Sequence, residues 1–449
     1  MRTFLFLSLF SYSLSFAQFD EDMRKSAPSP LSPIIFEAIP YWSEDTASIE
    51  LMVFYRINPE FFFFAKNSTA QHEMYEANGE IVFELFDEKD AAIARQFRPL
   101  RIARTSPPAE DIQFSEEIQG TLKFNLKKGL YKIVVESKDS ESGKSFINRK
   151  TTIDTRAFSS SVNISHAIFV EPITTDTSLN KQNEFIPINR GGSIIIGQAG
   201  GCLFQLVSPD TNTDIQLSWK VINKRDNDEE YPQELIGEKF ILQYGTPVIL
   251  EKSRHASIST IKTSRYSRLV YIPVPIERLE TGKYEMSITV TQGVSKNTQN
   301  HIFNIIWTLK PHALDDFKLA VDAVRHIATE KELDSMTVFS SGKSMAAFRA
   351  FWHKRNPDTT RAFNSAMAEY YRRVDETIKR FSSANETDGY RTDRGRIYVL
   401  FGSPSIINRL LKPNSAPTEI WTYIKLNRRF TFTDQRKSGN YILSKMENY

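Results

Sequence analysis

The sequence predicts a multidomain chain with two antiparallel β-sandwiches followed by a C-terminal α+β domain. Short segments with alternating apolar residues recur from residue 34 to about residue 310, with no helical period among them. The apolar period then changes to that of amphipathic helices, and alternation returns near residue 396. The 449 residues suit two to four domains, and the 32 phenylalanines and 17 tyrosines suit strand-rich cores.

Residues 1–17 have the organisation of a signal peptide. An arginine precedes an apolar run from Phe4 to Phe10, and Ser15 and Ala17 occupy the −3 and −1 positions of a signal-peptidase site. The run is shorter than the roughly 20 apolar residues that a bilayer span requires, and no later stretch is both long and apolar enough. We therefore expect an exported protein that begins at Gln18 and has no transmembrane segment after cleavage.

Residues 18–33 are polar and contain three prolines, so they predict a flexible leader. The first sandwich is predicted over residues 34–158. Its strands are predicted near residues 48–57, 79–86, 93–97, 121–126 and 129–135. The run Phe61 to Phe64 predicts core or edge-strand packing rather than a binding patch, because aromatic side chains in strands are usually packed.

The second sandwich is predicted over residues 159–310. Its strands are predicted near residues 193–196, 203–207, 215–221, 268–273, 284–290 and 302–309. The two units share one spacing, Leu126-x-x-Gly129-x-Tyr131 and Leu279-x-x-Gly282-x-Tyr284. This spacing resembles the turn and tyrosine that open a late strand in immunoglobulin-like and fibronectin-type sandwiches. The single cysteine, Cys202, leaves no intrachain disulfide, so stability has to come from packed cores.

The α+β domain is predicted over residues 311–449. Apolar residues at steps of three and four predict helices over about 314–328, 345–352 and 360–384. Alternating segments at 419–423, 429–433 and 440–443 predict a small antiparallel sheet after the helices.

Between the helices and the sheet, a charged stretch from Gly389 to Arg396 predicts a tight turn. The side chains of Thr392 and Asp393 can bond the backbone just ahead, and Gly395 can take a positive φ. The alternation from Ile397 to Phe401 predicts that this turn leads into a half-buried strand.

Several motifs follow one another through the C-terminal third of the chain. They are Phe351 to Pro357, Asn364, Glu369 to Val374, Phe381, Gly389 to Tyr398, Phe401 to Pro404, Glu419-Ile420-Trp421-x-Tyr423 and Phe430-x-Phe432-x-Asp434. In this order they resemble the GWxTD domain, which occurs in exported proteins of Bacteroidetes and some related bacteria. The signature tryptophan is Tyr390 here, which keeps a large amphipathic ring but lacks the indole donor. The resemblance implies an envelope location and a β-sandwich front end, and it implies no catalytic residue.

The family-motif residues contain a group of arginines around one carboxylate. The full set of candidate residues is Trp352, Arg355, Arg372, Arg373, Gly389, Tyr390, Thr392, Asp393, Arg394, Gly395, Arg396, Gly402, Pro404 and Trp421. Converging arginines can bind a carboxylated or phosphorylated ligand, because guanidinium forks match such anions bidentately. The alternative, which we favour, is a structural clasp in which Asp393 pairs with an arginine and fixes a helix to a strand.

Other chemistry has little support in the sequence. There is no His-Glu-x-x-His or Gly-x-Ser-x-Gly motif, and the seven histidines are scattered without metal-ligand spacing, so we expect no metal and no cofactor. The net charge of +3 is too small to indicate a nucleic-acid partner.

Two functional hypotheses follow. The favoured one is an exported, non-catalytic cell-envelope protein that acts as a structural or interaction module and contacts another envelope protein or envelope component. Its expected compartment is the periplasm, with the exterior or the periphery of the outer membrane as alternatives. The other hypothesis is an envelope hydrolase or anionic-ligand binder with a site near Arg355, Asp393 and Arg394.

Overall fold

A computed structural model describes most of the chain. The described residues are 32–42, 48–67, 74–105, 117–156, 162–175, 182–208, 210, 213–224, 234–235, 239–242, 267–337, 342–382, 386–413 and 415–449. The predicted signal peptide and nearly all of the predicted leader lie outside them. The chain divides into two compact units, with the boundary between Ile306 and Trp307.

The first unit is built from strands. They are β1 (Ile34–Trp42), β2 (Ile49–Ile57), β3 (Ala65–Asn67), β4 (Met74–Phe86), β5 (Ala92–Arg104), β6 (Ile118–Leu126), β7 (Leu130–Asp139), β8 (Ser145–Asp154), β9 (Asn163–Ile164), β10 (Ile168–Thr175), β11 (Gln182–Pro187), β12 (Ser193–Ile195), β13 (Gly201–Val207), β14 (Ile215–Asn223), β15 (Glu234–Leu235), β16 (Lys239–Leu242), β17 (Ser267–Pro273), β18 (Gly282–Gln292) and β19 (Ser295–Ile306).

These strands form four sheets. Sheet A has the order β1-β2-β6, and sheet B has the order β3-β4-β7-β8 with β5 also paired to β4. Sheet C has the order β11-β10-β13-β17 with β9 paired to β13, and sheet D has the order β12-β19-β18-β14-β15 with β16 paired to β14. The strand pairs are antiparallel except for β12 with β19, which is parallel. The mainly antiparallel, β-rich character that the alternating segments predict is confirmed.

Sheet A is covered on both faces. One face, which carries Leu51 and Val53, shares a core with sheet B. The other face, which carries Met52 and Phe54, shares a separate core with sheet C. Successive side chains of a strand point to opposite faces, so a strand buried on both faces is apolar at nearly every position, as β2 is. A third core joins sheets C and D, and the sheets therefore stack in the order B, A, C, D.

Charged side chains connect sheet A to the loops around β11 and β12. A carboxylate oxygen of Glu37 accepts the backbone N–H of Gly192 at 2.9 Å. Arg190 holds both carboxylate oxygens of Glu117, at 2.5 and 2.6 Å, and Arg56 donates to the same carboxylate at 3.4 Å. Buried charged groups of this kind are tolerated only when they are paired. These hydrogen bonds and ion pairs therefore fix sheet A to the loops around β11 and β12, between layers that are otherwise apolar.

The two tyrosines of the repeated spacing make the same contact. The hydroxyl of Tyr131 donates to the carbonyl of Lys127 at 2.7 Å, and the hydroxyl of Tyr284 donates to the carbonyl of Glu280 at 3.0 Å. In each case the acceptor lies four residues back, across the turn that contains the glycine. The shared spacing therefore corresponds to a shared local structure.

The second unit has helices first and a sheet after them. The helices are α1 (Phe317–Ala323), α2 (Glu330–Thr337), α3 (Gly342–His353), α4 (Ser365–Phe381) and α5 (Asp393–Phe401). The strands β20 (Ile406–Leu410), β21 (Thr418–Tyr423), β22 (Arg428–Thr433) and β23 (Ile442–Asn448) form one antiparallel sheet in that order. This confirms the predicted α+β arrangement.

The prediction of a strand over residues 397–401 was wrong, because these residues belong to α5. A 3-10 turn, Gly389–Arg391, precedes the helix, and Thr392 caps it by accepting the N–H of Gly395 at 3.0 Å. Ile397 and Tyr398 pack against the sheet, whereas Val399 packs among the helices. Apolar residues at adjacent positions suit a short helix between two layers, and this pattern imitates a strand.

Candidate functional site

The signature stretch Gly389 to Asp393 lies where α4, α5 and β23 meet. Gly389 packs so closely on α4 that a Cβ would overlap the carbonyl oxygen of Thr377. The hydroxyl of Thr392 donates to the carbonyl of Gly389 at 2.8 Å while it caps α5. Gly395 has no positive φ, contrary to the prediction, and is needed because a Cβ there would overlap the carbonyl oxygen of Gly389. Gly389 and Gly395 therefore allow close approach of backbone segments, and Thr392 makes hydrogen bonds to the backbone on either side of it.

Tyr390, at the position of the signature tryptophan, is buried in the helical core and points its hydroxyl at α1. That hydroxyl donates to a carboxylate oxygen of Asp322 at 2.7 Å, and Nε of Arg391 donates to the same oxygen at 2.9 Å. Arg325 donates to the other oxygen of Asp322. Burial raises the pKa of Tyr390, so the ring stays neutral and acts as a hydrogen-bond donor.

Asp393 connects α5 to the sheet through the backbone. Its Oδ2 accepts the N–H of Leu443, on β23, at 2.8 Å. Its Oδ1 lies 3.4 Å from a guanidinium nitrogen of Arg396, one turn later in the same helix. Asp393 therefore joins a helix to a strand, but the strand partner is an amide rather than an arginine.

The ion pair between helix and sheet belongs to Arg394 and Glu419. Their closest atoms are 3.4 Å apart, and the two side chains are only 13% and 7% exposed. The guanidinium of Arg394 lies 4.1 Å from the ring centre of Tyr441 and also donates to the carbonyl of Gly439. Glu419 additionally accepts the indole N–H of Trp421 at 3.2 Å. The guanidinium of Arg394, the carboxylate of Glu419 and the rings of Tyr441 and Trp421 thus form one connected network.

Arg373 stabilises the end of α5. It donates to the carbonyls of Val399 and Leu400 at 3.2 and 3.3 Å, where a helix leaves carbonyl groups without partners. Gly402, with φ of +78°, ends the helix beside the same guanidinium, and Pro404 follows it. The carbonyl of Gly402 accepts the hydroxyl of Tyr423 at 2.8 Å. Arg372 points outward and pairs with Glu369 on its own helix.

Arg355 contacts different residues from those that Asp393 and Arg394 contact. It donates to Glu332 of α2 at 3.1 Å and covers the ring of Phe351 at 3.6 Å. The neighbouring Trp352 is buried against Tyr370 and Tyr371. The three residues of the predicted ligand site therefore have separate partners on separate elements.

A cleft of about 560 Å³ opens beside Tyr390. Its lining includes Asp316, Lys318, Leu319, Val321, Asp322, Arg325, Leu333, Thr337, Asp388, Tyr390 and Arg391. Asp322 pairs with Arg391 at 2.8 Å, and Asp388 pairs with the same guanidinium at 3.3 Å. The charges that face the cleft therefore balance one another, and an anionic ligand would have to compete with Asp322 for Arg391.

Sequence reasoning identified the signature stretch but missed Asp322, which lies 68 residues before Tyr390. No local signal marks this aspartate, because it looks like any polar residue on an amphipathic helix. Glu419 was named only as part of a motif, although an acidic residue next to apolar strand residues such as Ile420 and Trp421 is a signal that it needs a buried cation.

Within the described part of the chain, no three His, Cys, Asp or Glu side chains come together as metal ligands. None of the helices described there has both the length and the apolar character of a membrane span. Burial raises the pKa of the Cys202 thiol, so this cysteine is a packed core residue.

The family model described as the GWxTD domain matches residues 293–449. No curated protein matches the chain. A crystal structure of red sea bream transglutaminase is similar at 5% identity, with 64% of this chain and 34% of that chain covered and a TM-score of 0.18. The chain thus spans about a third of that transglutaminase.

A bacterial adhesin from Mobiluncus mulieris, containing intramolecular disulfide, isopeptide and ester bond cross-links, is similar at 8% identity. That comparison covers 57% of this chain and 81% of the adhesin, with a TM-score of 0.15. The TM-scores are too low for either structure to bear on the function of this chain.

Proposed function

Because the C-terminal third of this chain is a GWxTD domain, we propose that the protein is an exported, non-catalytic cell-envelope component that acts as a structural or interaction module. The main support is that polar side chains of the signature stretch bond to other residues of the same domain. Tyr390, Asp393 and Arg394 direct their polar groups to Asp322, Leu443 and Glu419. Side chains used in this way hold the domain together, which is what a structural or interaction module requires.

The proposal extends to the first unit, with two sandwiches of immunoglobulin or fibronectin type over residues 34–158 and 159–310. The matching hydroxyl contacts of Tyr131 and Tyr284 support this type, because a tyrosine bonded to an upstream carbonyl is typical of it. In this proposal the sandwiches space and present the C-terminal domain to a partner in the envelope.

The envelope location is tested by expression of the full chain in a Gram-negative host. We expect cleavage after Ala17, seen as a mature protein whose intact mass starts at Gln18, and recovery in the periplasmic fraction. An uncleaved protein in the cytoplasmic fraction would contradict export.

The module proposal is tested with Asp393→Ala and Asp393→Asn, the second of which keeps an oxygen for the N–H of Leu443. Envelope proteins are cross-linked to the wild type and to both variants and are identified by mass spectrometry. We expect the same partners for Asp393→Asn, and for Asp393→Ala a loss no larger than its loss of folded protein. Full loss of partners in a fully folded Asp393→Ala would favour a direct ligand role.

The second candidate is an envelope hydrolase or anionic-ligand binder, first considered near Arg355, Asp393 and Arg394. The cleft beside Tyr390 is the observation that favours it, since Arg325 and Arg391 border that space. It predicts that phosphate or a dicarboxylate raises the melting temperature and that Arg391→Gln abolishes the rise. An unchanged melting temperature would leave the module as the only candidate of the two.

A further inference from the structure

Strand β20 forms one edge of the C-terminal sheet. Among the described residues it pairs only with β21, and all five of its residues are exposed. In an antiparallel sheet, every second residue of an edge strand points its N–H and C=O away from the sheet. β20 therefore presents a row of backbone donors and acceptors to the outside.

Apolar side chains are concentrated around this strand. Of the seventeen large apolar residues that are exposed in the described part of the chain, nine lie between residues 406 and 449. Four of them are in one run that we call the β20 edge, residues 406–412: Ile406, Ile407, Leu410 and Leu411. A run of exposed aliphatic residues on an edge strand is a typical template for strand addition.

The β20 edge lacks the features that protect another edge strand of this protein. β5 in the first unit also pairs with one strand, and it carries Arg95, Arg98 and Arg101 together with Pro99. Charged residues and proline on an edge oppose the addition of a further strand. The single charge within β20, Arg409, instead lies 3.0 Å from Glu419 of the neighbouring strand.

The C-terminal sheet that contains the β20 edge is basic. Residues 405–449 contain eight lysines and arginines but only three acidic residues. Two of the three, Glu419 and Asp434, are buried. The exposed lysines 412 and 425 lie just beyond β20 and in the turn after β21, so the approach to this edge is positively charged. A second copy of the sheet would bring two basic surfaces together, whereas an acidic segment would be complementary.

We propose that the β20 edge binds an extended, acidic polypeptide segment of a partner protein as a fifth strand of the sheet. Its backbone would pair with the outer groups of β20, its apolar residues would cover Ile406 and Leu410, and its carboxylates would face Lys412 and Lys425. This inference rests on the proposed function as an interaction module and specifies the partner.

The test uses the whole mature protein and three labelled peptides of about ten residues, comparable to a strand in length. One peptide alternates glutamate and valine, the second alternates lysine and valine, and the third is the acidic peptide with alternate N-methyl amides. Fluorescence anisotropy should show binding of the acidic peptide alone, with an affinity that falls as salt is added. The N-methyl groups remove the backbone donors that strand addition needs.

Variant proteins identify the edge. Leu410→Glu, at a residue that is 44% exposed, should weaken binding of the acidic peptide by about tenfold or more without changing the circular dichroism spectrum, because it removes an apolar contact and repels the carboxylates of the peptide. Ile442→Glu is the matched control, because Ile442 is 55% exposed and lies on β23, the opposite edge of the same sheet. We expect this control to bind as the wild type does.

Several outcomes would overturn the inference. They are no binding of the acidic peptide, equal binding of the basic one, or equal weakening by Ile442→Glu. A dimer of the peptide-free protein that Leu410→Glu dissociates would show that a second copy occupies the edge. If Leu410→Glu recovers the same cross-linked envelope proteins as the wild type, the edge proposal fails while the module proposal stands.

Discussion

Gly389 and Gly395 bring three backbone segments into contact. The carbonyl oxygen of Thr377 leaves no room for a Cβ on Gly389, and the carbonyl oxygen of Gly389 leaves none on Gly395. Neither glycine has a positive φ, so their role is close approach and not an unusual backbone conformation. The signature glycine is thus a packing requirement of the helical layer.

Gly395→Ala should lower the free energy of unfolding by about 2 kcal/mol, because the overlap outweighs the roughly 1 kcal/mol of helix propensity that alanine gains. Gly342→Ala is the control, since it begins α3 and has open space around it. That change should leave stability unchanged or raise it by up to about 1 kcal/mol. Urea unfolding of both variants provides the measurement, and equal effects would contradict the packing role.

At the residue scale, the sequence located the signature stretch and the amphipathic character of Tyr390, but not its partners. A buried tyrosine hydroxyl needs a hydrogen-bond acceptor, but the sequence does not show which residue provides it. Asp322 comes from a helix that the chain passes long before the turn. Only the packing of α1 on the 3-10 turn determines that contact.

At the scale of elements, α5 shows why a short apolar alternation is ambiguous. Five residues, 397–401, span little more than one helical turn, so their apolar pattern is too short to distinguish a period of two from a period of 3.6. The helix begins after its N-cap residue Thr392 and ends at Gly402, which has a positive φ. A threonine before a helix and a glycine after it are both signals that the sequence contains. The turn residues were interpreted as a loop and not as a cap.

Arg394 connects α5 to the sheet through its ion pair with Glu419, so its removal should lower the free energy of unfolding. Arg394→Ala leaves the buried carboxylate of Glu419 with the indole N–H of Trp421 and the outward-lying Arg409, and we expect a loss of about 3 kcal/mol. Arg372→Ala is the matched control, because Arg372 and Glu369 are 61% and 43% exposed. That change should cost less than about 0.5 kcal/mol. Thermal or chemical unfolding of the two variants measures the difference in stability. A small effect of Arg394→Ala would show that Arg394 does not hold α5 on the sheet.

At the scale of the whole molecule, the sequence predicted the antiparallel, β-rich character of the first unit, but it predicted fewer strands than the nineteen described there and did not predict how the sheets share their cores. Two separate sandwiches follow from counting strands and turns. Sheet A, however, contributes to one core with sheet B and to another with sheet C. The unbroken apolar run Leu51 to Tyr55 in β2 was the available signal, because a strand with one exposed face would alternate. The boundary near residue 158 stays a prediction.

The junction between these layers should respond to pH through Glu37. Burial raises the pKa of Glu37 from 4.5 to about 7, against the hydrogen bond from Gly192 and the charge of Arg56, which lower it. A raised pKa in the folded state stabilises the protein at low pH. That contribution is lost between pH 4.5 and about 7 as the carboxylate ionises.

Glu37→Gln keeps an oxygen for Gly192 but cannot ionise. We therefore expect the stability of the wild type relative to the variant to fall by about 2 kcal/mol between about pH 5 and about pH 8. Denaturant unfolding of both proteins at the two pH values measures the difference. A constant difference would mean that Glu37 has the same pKa in the folded and the unfolded protein.

The double coverage of sheet A also sets an order of events during synthesis. β1, β2 and β6 are complete by residue 126, and sheet B can cover one of their faces once β8 ends at residue 154. The other face waits for β10, β13 and β17, the last of which ends at residue 273. Until more than a hundred further residues have been made, Met52 and Phe54 face solvent. A chain that folded as it was made would therefore carry an apolar sheet surface for much of its elongation, and a holding chaperone or a chain kept unfolded would avoid that exposure.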